Sequence, residues 1–278
     1  VIQGHEISSG KLRGVMSNGM MCSGAELGIN NDNSGIIELP NDTVIGTPVM
    51  DTPIVFDAGI TPNRPDYLAV RGIARDLAAA GVGEYIKPND ETLPAKKTSR
   101  NVVIKTDKCP VYQFCEINNI NVVPSNKTIA SRLSGIGINP KNAAIDATNY
   151  VCYDMAQPMH CFDADEIHGD IVVRMAQNGE KFTDLFGKEH ELSENDMVIS
   201  DDMGILALAG VIGGARAATT DKTKNIILES AYFNPVSVRK SAKRIGTSTD
   251  ASYRYERGID PTITGIALAR AAKIITDV

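Results

Sequence analysis

Apolar residues are sparse and irregular at the start of the chain and become patterned only later. Residues 1 to about 50 are dense in Gly, Asn, Ser and Asp, with short β-prone pieces at 35–39 and 42–45. That pattern predicts the tail of a small β domain. Residues 54–60 predict a short strand, and TPNRPD follows. Leu68, Ile73 and Leu77 then supply the apolar positions of a helix over about 66–80. Pro62 and Pro65 keep that strand from running into the helix. The stretch KPNDETLPAKKTSR, residues 87–100, has one large apolar residue and two prolines and predicts a domain boundary. Beyond it, β-prone runs at 101–105, 112–117, 171–175, 197–200, 205–208 and 226–228, separated in places by helical segments, predict a mixed α+β domain.

The later helices carry start and stop signals. Asn234 can cap a helix that opens with Pro235, and Gly246 can close it in a left-handed conformation. Asp260 and Pro261 repeat the start signal, and Ile263, Ile266, Ala267, Ala271, Ile274 and Val278 follow as a helical stripe expected to be core. The expected division is therefore 1–50, 51–97 and 98–278.

Composition narrows the function classes. The longest strongly apolar window, 205–215, is about half the roughly 20 residues a bilayer requires, and it holds Gly210, Gly213 and Gly214. No membrane span is expected. The opening VIQGHEISSGKL lacks the basic flank and apolar stretch of a secretion signal, and Val1 reads as a boundary inside a longer protein. A formal charge of −6 does not give the overall basic signature of a dedicated nucleic-acid binder, so any RNA contact must be local. Arg239, Lys240, Lys243, Arg244, Arg254 and Arg257, opposed only by Asp250 and Glu256, offer one such locality. The same residues equally suit a solvated helix face. Five cysteines, an odd number with no two-residue gap, point away from a zinc knuckle or redox centre and toward a reducing cytoplasm.

Five strings, in order and covering almost the whole chain, resemble the bacterial phenylalanine–tRNA ligase β subunit family. They are KLRGVMSNGMMCSGAELGI, DAGITPNRPDYLAVRGIARDLAAAG, ATNYVCYDMAQPMHCFDADEI, LALAGVIGG and TSTDASYRYERGIDP. The resemblance implies an α+β architecture: the end of an OB-like tRNA-binding module, a small domain beside it, and a mixed-sheet editing domain with packed helices. It implies hydrolysis of tyrosine wrongly attached to tRNA(Phe), with tRNA(Phe) and the ligase α subunit, in a heterotetramer, as partners. DNA and a membrane are not expected partners. ATP and magnesium would belong to the whole ligase, bound outside these residues, with no cofactor and no metal in this stretch. Departures from the family pattern are Val111, where an arginine often follows the Cys-Pro pair, and Cys152 and Cys161, where Met and Ala are common.

Tyrosine and phenylalanine differ only by a hydroxyl. A site built to hydrogen-bond that hydroxyl rejects the analogue lacking it, whereas an apolar pocket discriminates poorly. Glu229, closing the run NIILE, reads either as a strand-end glutamate facing water or as a desolvated carboxylate; the resemblance makes it the receptor for the phenol. Gly210, Gly213 and Gly214, with small Ala209 alongside, form a tight turn or, through close backbone approach, a holder for an ester carbonyl or oxyanion. The resemblance makes them a pocket wall. His160, placed after Pro158, is a satisfied structural histidine or, by resemblance, the editing-pocket group that acts as base or positions water. Asn149 forms an Asx turn or grips the aminoacyl group or ribose. By resemblance Thr249 and Ala251 lie beside the bound tyrosine ring, with the small side chain at 251 leaving room.

Direct attack by a positioned water is the expected chemistry. Two rivals remain: a noncatalytic tRNA-binding or subunit-assembly module, and an unrelated small-molecule hydrolase pairing His160 with Cys152 or Cys161. Adjacent residues of an extended chain point to opposite sides, which makes a pairing of His160 with Cys161 geometrically poor.

Overall fold

The computed structural model describes residues 8–29, 32–49, 54–94, 98 and 100–278. Contacts group the chain into two compact units, Val1–Ile54 and Val55–Val278. The first carries an antiparallel hairpin, β1 (Gly10–Leu12) and β2 (Val15–Ser17), in which Leu12 faces Val15 across Arg13 and Gly14. Both turn residues have positive φ, as a two-residue turn matched to strand twist demands. The β-prone pieces at 35–39 and 42–45 are irregular chain and turns; Thr43 N–H donates to the Pro40 carbonyl, closing a turn where a strand was predicted.

The second unit holds the remaining elements. They are α1 (Val70–Ala79), β3 (Val102–Ile104), β4 (Val111–Ile117), α2 (Lys127–Gly135), α3 (Ala143–Met155), β5 (Met159–Asp163), β6 (Ile171–Met175), β7 (Lys181–Thr183), β8 (Glu189–Glu191), β9 (Met197–Asp201), β10 (Gly204–Leu208), β11 (Ile212–Gly213), β12 (Ile226–Tyr232), α4 (Pro235–Ile245), α5 (Asp250–Tyr255) and α6 (Thr264–Thr276). The described residues of 54–60 form no strand, and Phe56 there is exposed. The helix predicted over 66–80 is split. A 3-10 turn, Pro65–Leu68, precedes an extended Ala69, and the Leu68 carbonyl accepts from the Arg254 guanidinium instead of continuing a helical ladder.

A three-stranded antiparallel sheet in the order β4-β12-β5 forms the middle of this unit, and a five-stranded sheet, β11-β10-β9-β6-β3, lies on one side of it. Strand side chains alternate between faces. One face of the three-stranded sheet therefore sends Ile226, Leu228 and Cys161 into a core with α3 (Ala144, Ala147, Val151) and α6 (Ala267, Leu268, Ala271). The other sends Ile227, Ala231 and Phe162 against Val173, Ile199, Leu206 and Leu208 of the five-stranded sheet and against α4. The architecture is α+β, in helix, sheet, sheet layers.

Helix signals in the sequence match local structure where chemistry is explicit. Asn234 accepts from the Ser237 amide, Pro235 opens α4, and Gly246 ends it at φ 67°. The stripe predicted on α6 faces the core: Ala267 and Ala271 are buried, Ile263, Ile266 and Ile274 pack against the same cluster, and Leu268, Ala272 and Ile275 widen it, whereas Val278 is exposed. The helix begins at Thr264 after a 3-10 turn, Pro261–Ile263.

Candidate functional site

Between the two sheets lies a cavity of about 290 Å³, at the lower end of small-molecule sites. Its floor comes from β12 and β5, where Glu229 and His160 are direct antiparallel partners. The five-stranded sheet contributes Ile199, Ala207 and Leu208, while Asn149, Thr249 and Ala251 complete the wall. A larger concavity, about 490 Å³, in the N-terminal unit is lined by Ser23, Ala25, Glu26, Asn33, Gly35 and Ile36. Its one acid, Glu26, is already held by the amide and hydroxyl of Ser23, so it offers no poised chemistry.

Glu229 is only 4% exposed and stands at the centre of β12, not at a strand end, because the strand runs on to Tyr232 with a partner on each side. The Tyr112 hydroxyl donates to its Oε2 at 3.1 Å. Burial pushes the Glu229 carboxyl up to about 8, a rise that the Tyr112 hydrogen bond only partly offsets. Tyr112 sits on β4 two residues from Phe114, the direct partner of Glu229, so both aromatic rings share its face of the sheet.

His160 lies edge-on to Phe162, with ring centroids 4.4 Å apart. Its Nε2 is buried without a hydrogen-bond partner, while part of the residue stays accessible at the cavity. Burial depresses its pKa to about 4, so the imidazole is neutral at physiological pH, a weak base whose ring nitrogens can still orient a water by hydrogen bonding. The ring occupies the space over Gly213, where a Cβ would lie 2.4 Å from His160 Cε1. Glycine is therefore required at 213 for this histidine to sit where it does.

The glycine run forms the hairpin between β10 and β11. Gly210 turns it at φ 70°, closely packed by Val238, Phe233 and Tyr255. Gly210 and Gly213 line the cavity, whereas Ala209 and Gly214 lie outside its lining. The Ala209 amide donates to the Met197 carbonyl and the Gly214 amide to that of Leu206. Thr249 caps α5 in a reciprocal capping box with Ser252, and its hydroxyl donates to the Val211 carbonyl at 2.7 Å, tying α5 to the glycine hairpin. Asn149 projects from within α3, so its backbone is helical and not the Asx turn considered above. Seven of the predicted residues, His160, Glu229, Asn149, Gly210, Gly213, Thr249 and Ala251, thus share one cavity.

Cys161 faces the opposite side of the sheet from His160, in the core beneath the helices, and burial holds its thiol far above the ordinary range. Burial likewise pushes Cys152 up to about 11. Neither is an activated thiol. Half of the basic stretch is spent on structure. Arg254 is buried against Asp250, Leu68 and the Tyr153 ring, Arg244 pairs with Asp196, and Arg257 pairs with Glu256 over the Tyr253 ring. Arg239, Lys240 and Lys243 are exposed. Among the described residues, no group of three or more His, Cys, Asp or Glu could hold a metal ion, and no helix is long and apolar enough to cross a membrane.

Residues 108–278, which carry every one of these cavity residues, match the family model described as the B3/4 domain. The chain belongs to the B3/4 domain family. Its relatives include proteins named phenylalanine–tRNA ligase beta subunit. That of Psychrobacter arcticus is 42% identical over 99% of this chain and 36% of the relative. That of Geobacter metallireducens is 41% identical over 98% and 35%, and that of Bartonella henselae 39% identical over 97% and 35%. The chain spans about a third of the length of the curated relatives it matches. A solved N-terminal fragment of the phenylalanyl-tRNA synthetase beta subunit from Pyrococcus horikoshii aligns over 66% of this chain and 59% of its own at 20% identity and a TM-score of 0.38, a likeness too weak to carry an argument.

Four residues around the B3/4 domain cavity lie outside the set expected from the sequence. Tyr112 and Tyr255 border the Glu229 corner, the latter donating to the Ala231 carbonyl at 3.1 Å. The alternation in VYQFCEI, which puts Tyr112 and Phe114 on one face, was the available signal. Leu185 and Phe186 reach the cavity from the turn between β7 and β8; an apolar pair beside a turn glycine was the hint there.

Proposed function

We propose that this chain is part of a phenylalanine–tRNA ligase β subunit and that its B3/4 domain hydrolyses tyrosine wrongly attached to tRNA(Phe). The observation that carries the reading is a buried acid, Glu229, paired across strands with a neutral histidine, His160, in a cavity walled mostly by apolar side chains and glycine, with Asn149, Thr249, Asp250 and Tyr255 as its other polar members. A phenol entering that corner meets a carboxyl group with an oxygen to spare beyond the one held by Tyr112. Phenylalanine offers nothing there and leaves the carboxyl oxygen not held by Tyr112 desolvated and without a partner, a penalty of about 1–3 kcal/mol on top of the lost bond. Ala251 leaves room for the ring, and Asn149 has the amide chemistry to hold the ester or ribose.

In the proposed reaction a water oxygen attacks the ester carbonyl carbon. The bond from that carbon to the ribose oxygen breaks, one water proton ends on the ribose oxygen, and the other is released to solvent as free tyrosine leaves as its carboxylate. His160, neutral at working pH, accepts or positions the water proton, and the turn at Gly210 and Gly213 brings backbone close to the carbonyl. The same reading makes tRNA(Phe) and a ligase α subunit partners in a cytoplasmic enzyme that uses ATP and magnesium outside these residues. It divides the chain into an OB-like tail over 1–50, a small domain over 51–97 and the editing domain over 98–278. A thiol hydrolase is disfavoured by the placement of Cys161 on the opposite face of β5.

The test is deacylation of tyrosyl-tRNA(Phe) and phenylalanyl-tRNA(Phe) by the wild-type chain, Glu229→Ala and Ala251→Trp. Selective release of tyrosine by wild type, weakened in both variants, is the expected outcome. Equal, uncatalysed release of both amino acids in all three would remove the proposal.

A further inference from the structure

The rim of the cavity carries an exposure that the chemistry above does not use. The turn from β7 to β8 is held by the buried Asp184 carboxylate. Its Oδ1 accepts from the Phe186 amide at 2.9 Å and the Lys188 amide at 3.0 Å, and its Oδ2 meets buried His190 Nε2 at 2.7 Å. The turn is also bonded to the glycine hairpin: the Leu185 amide donates to the Gly213 carbonyl at 3.0 Å, and the Ala215 amide to that of Thr183 at 3.1 Å. Leu185 meets His160 over Gly213, since a Cβ on that glycine would lie 3.1 Å from Leu185 Cδ1 and 2.4 Å from the histidine. What this well-anchored turn presents to solvent is the ring of Phe186, 86% exposed, with exposed Lys188 two residues on.

A large aromatic ring held by an anchored turn at a cavity mouth offers a face on which a flat partner can stack. We infer that Phe186 is a stacking platform for the terminal nucleobase of the RNA whose aminoacyl group enters the cavity. The inference rests on the editing reading for its choice of occupant. With the amino-acid side chain at Glu229 and the ester beside His160, the ribose and its base would extend toward the exposed members of the lining, which are Leu185, Phe186 and Asp250, and of these only Phe186 offers an aromatic face. Stacking suits that place because every base has a π face, so it grips a terminal nucleoside without reading sequence. Lys188 adds a cation where the phosphate chain would follow.

Two non-hydrolysable probes test this by binding: tyrosinamide, and adenosine carrying tyrosine through a 3′-amide. Wild type is expected to bind the adenosine-bearing probe about tenfold more tightly, with that gain lost in Phe186→Ala, kept in Phe186→Trp, and tyrosinamide binding unchanged in both. Probes that bind wild type equally, or not at all, would overturn the inference, as would a gain that survives in Phe186→Ala. Concentration-dependent self-association abolished by Phe186→Ala would overturn it too, by assigning the ring to a second copy. Deacylation of tyrosyl-tRNA(Phe), measured separately, reports on editing alone: if it fails while the adenosine gain depends on Phe186, only the hydrolytic reading falls.

Discussion

The two faces of the β4-β12-β5 sheet are made by alternate residues of the same strands, yet they are built to opposite ends. Leu228 and Cys161 point into a core of small and aliphatic residues under α3 and α6, with Ala144, Ala147, Val151, Ala267, Leu268 and Ala271 packed together there. One residue away, Glu229 and His160 point between the sheets, the acid buried and the histidine partly so, but both able to gain or lose a proton. Burial stabilises the first face and opposes the charged form of the second. The difference teaches that the cavity is a place where stability is given up for recognition: an aliphatic side chain at 229 would serve the fold better than the acid that stands there.

The largest effect expected on this comparison comes from the apolar face. Leu228→Ala should cost about 3–4 kcal/mol by denaturant unfolding, since it opens a cavity in a fully buried core. On the polar face the sign reverses. The Glu229 carboxyl is raised to about 8 when folded and 4.5 when not, so protonation is favoured by folding. The stability it allows is present below pH 4.5 and is lost as pH rises toward 8. Glu229→Gln should therefore stabilise the protein by on the order of 3 kcal/mol at pH 7, with the gain vanishing near pH 4.5 in paired thermal melts. A uniform loss at all pH values would contradict the burial argument.

His160 supplies the opposite window. Its pKa falls from 6.5 to about 4 on folding, so stability is full above pH 6.5 and is lost as pH drops toward 4. His160→Asn should abolish that acid-side slope, worth no more than about 3 kcal/mol and less where its ring edge meets cavity water. The smallest change is Tyr112→Phe, which removes the one hydrogen bond that lowers the Glu229 pKa. It should move the carboxyl titration, followed by carbon-13 NMR of a labelled Glu229 side chain, further above 8 and cost about 1 kcal/mol of stability above that pH.

How much of this was legible depended on whether the signal was local. Asn234, Pro235 and Gly246 fixed the ends of α4 because capping is chemistry between near neighbours. The 171–175 strand was found at its full extent, since a Val- and Ile-rich run needs no context. Helix α3 was missed because its face is alanine, threonine and a buried Asp146, a stripe too weakly apolar to register. Strand β8 reads Glu-His-Glu, polar throughout, and is explained only by the buried pairing of His190 with Asp184. Glu229 was read at a strand end because Ser230 and Ala231 do not look like strand; two flanking partners extend β12 through them. Tyr112 could not be connected to Glu229 at all, for the contact spans 117 residues of sequence. The residues proposed from resemblance assemble largely in one cavity, but which backbone amides were already engaged at Ala209 and Gly214 needed the hairpin register.

The most direct test of the central claim is the ratio of kcat/KM for tyrosine release over phenylalanine release from tRNA(Phe), compared between wild type and Glu229→Leu. The account predicts a large ratio in wild type, up to about 10⁴, collapsing toward unity in the variant because no polar partner remains for the phenol. A ratio that survives the loss of the carboxyl would contradict it.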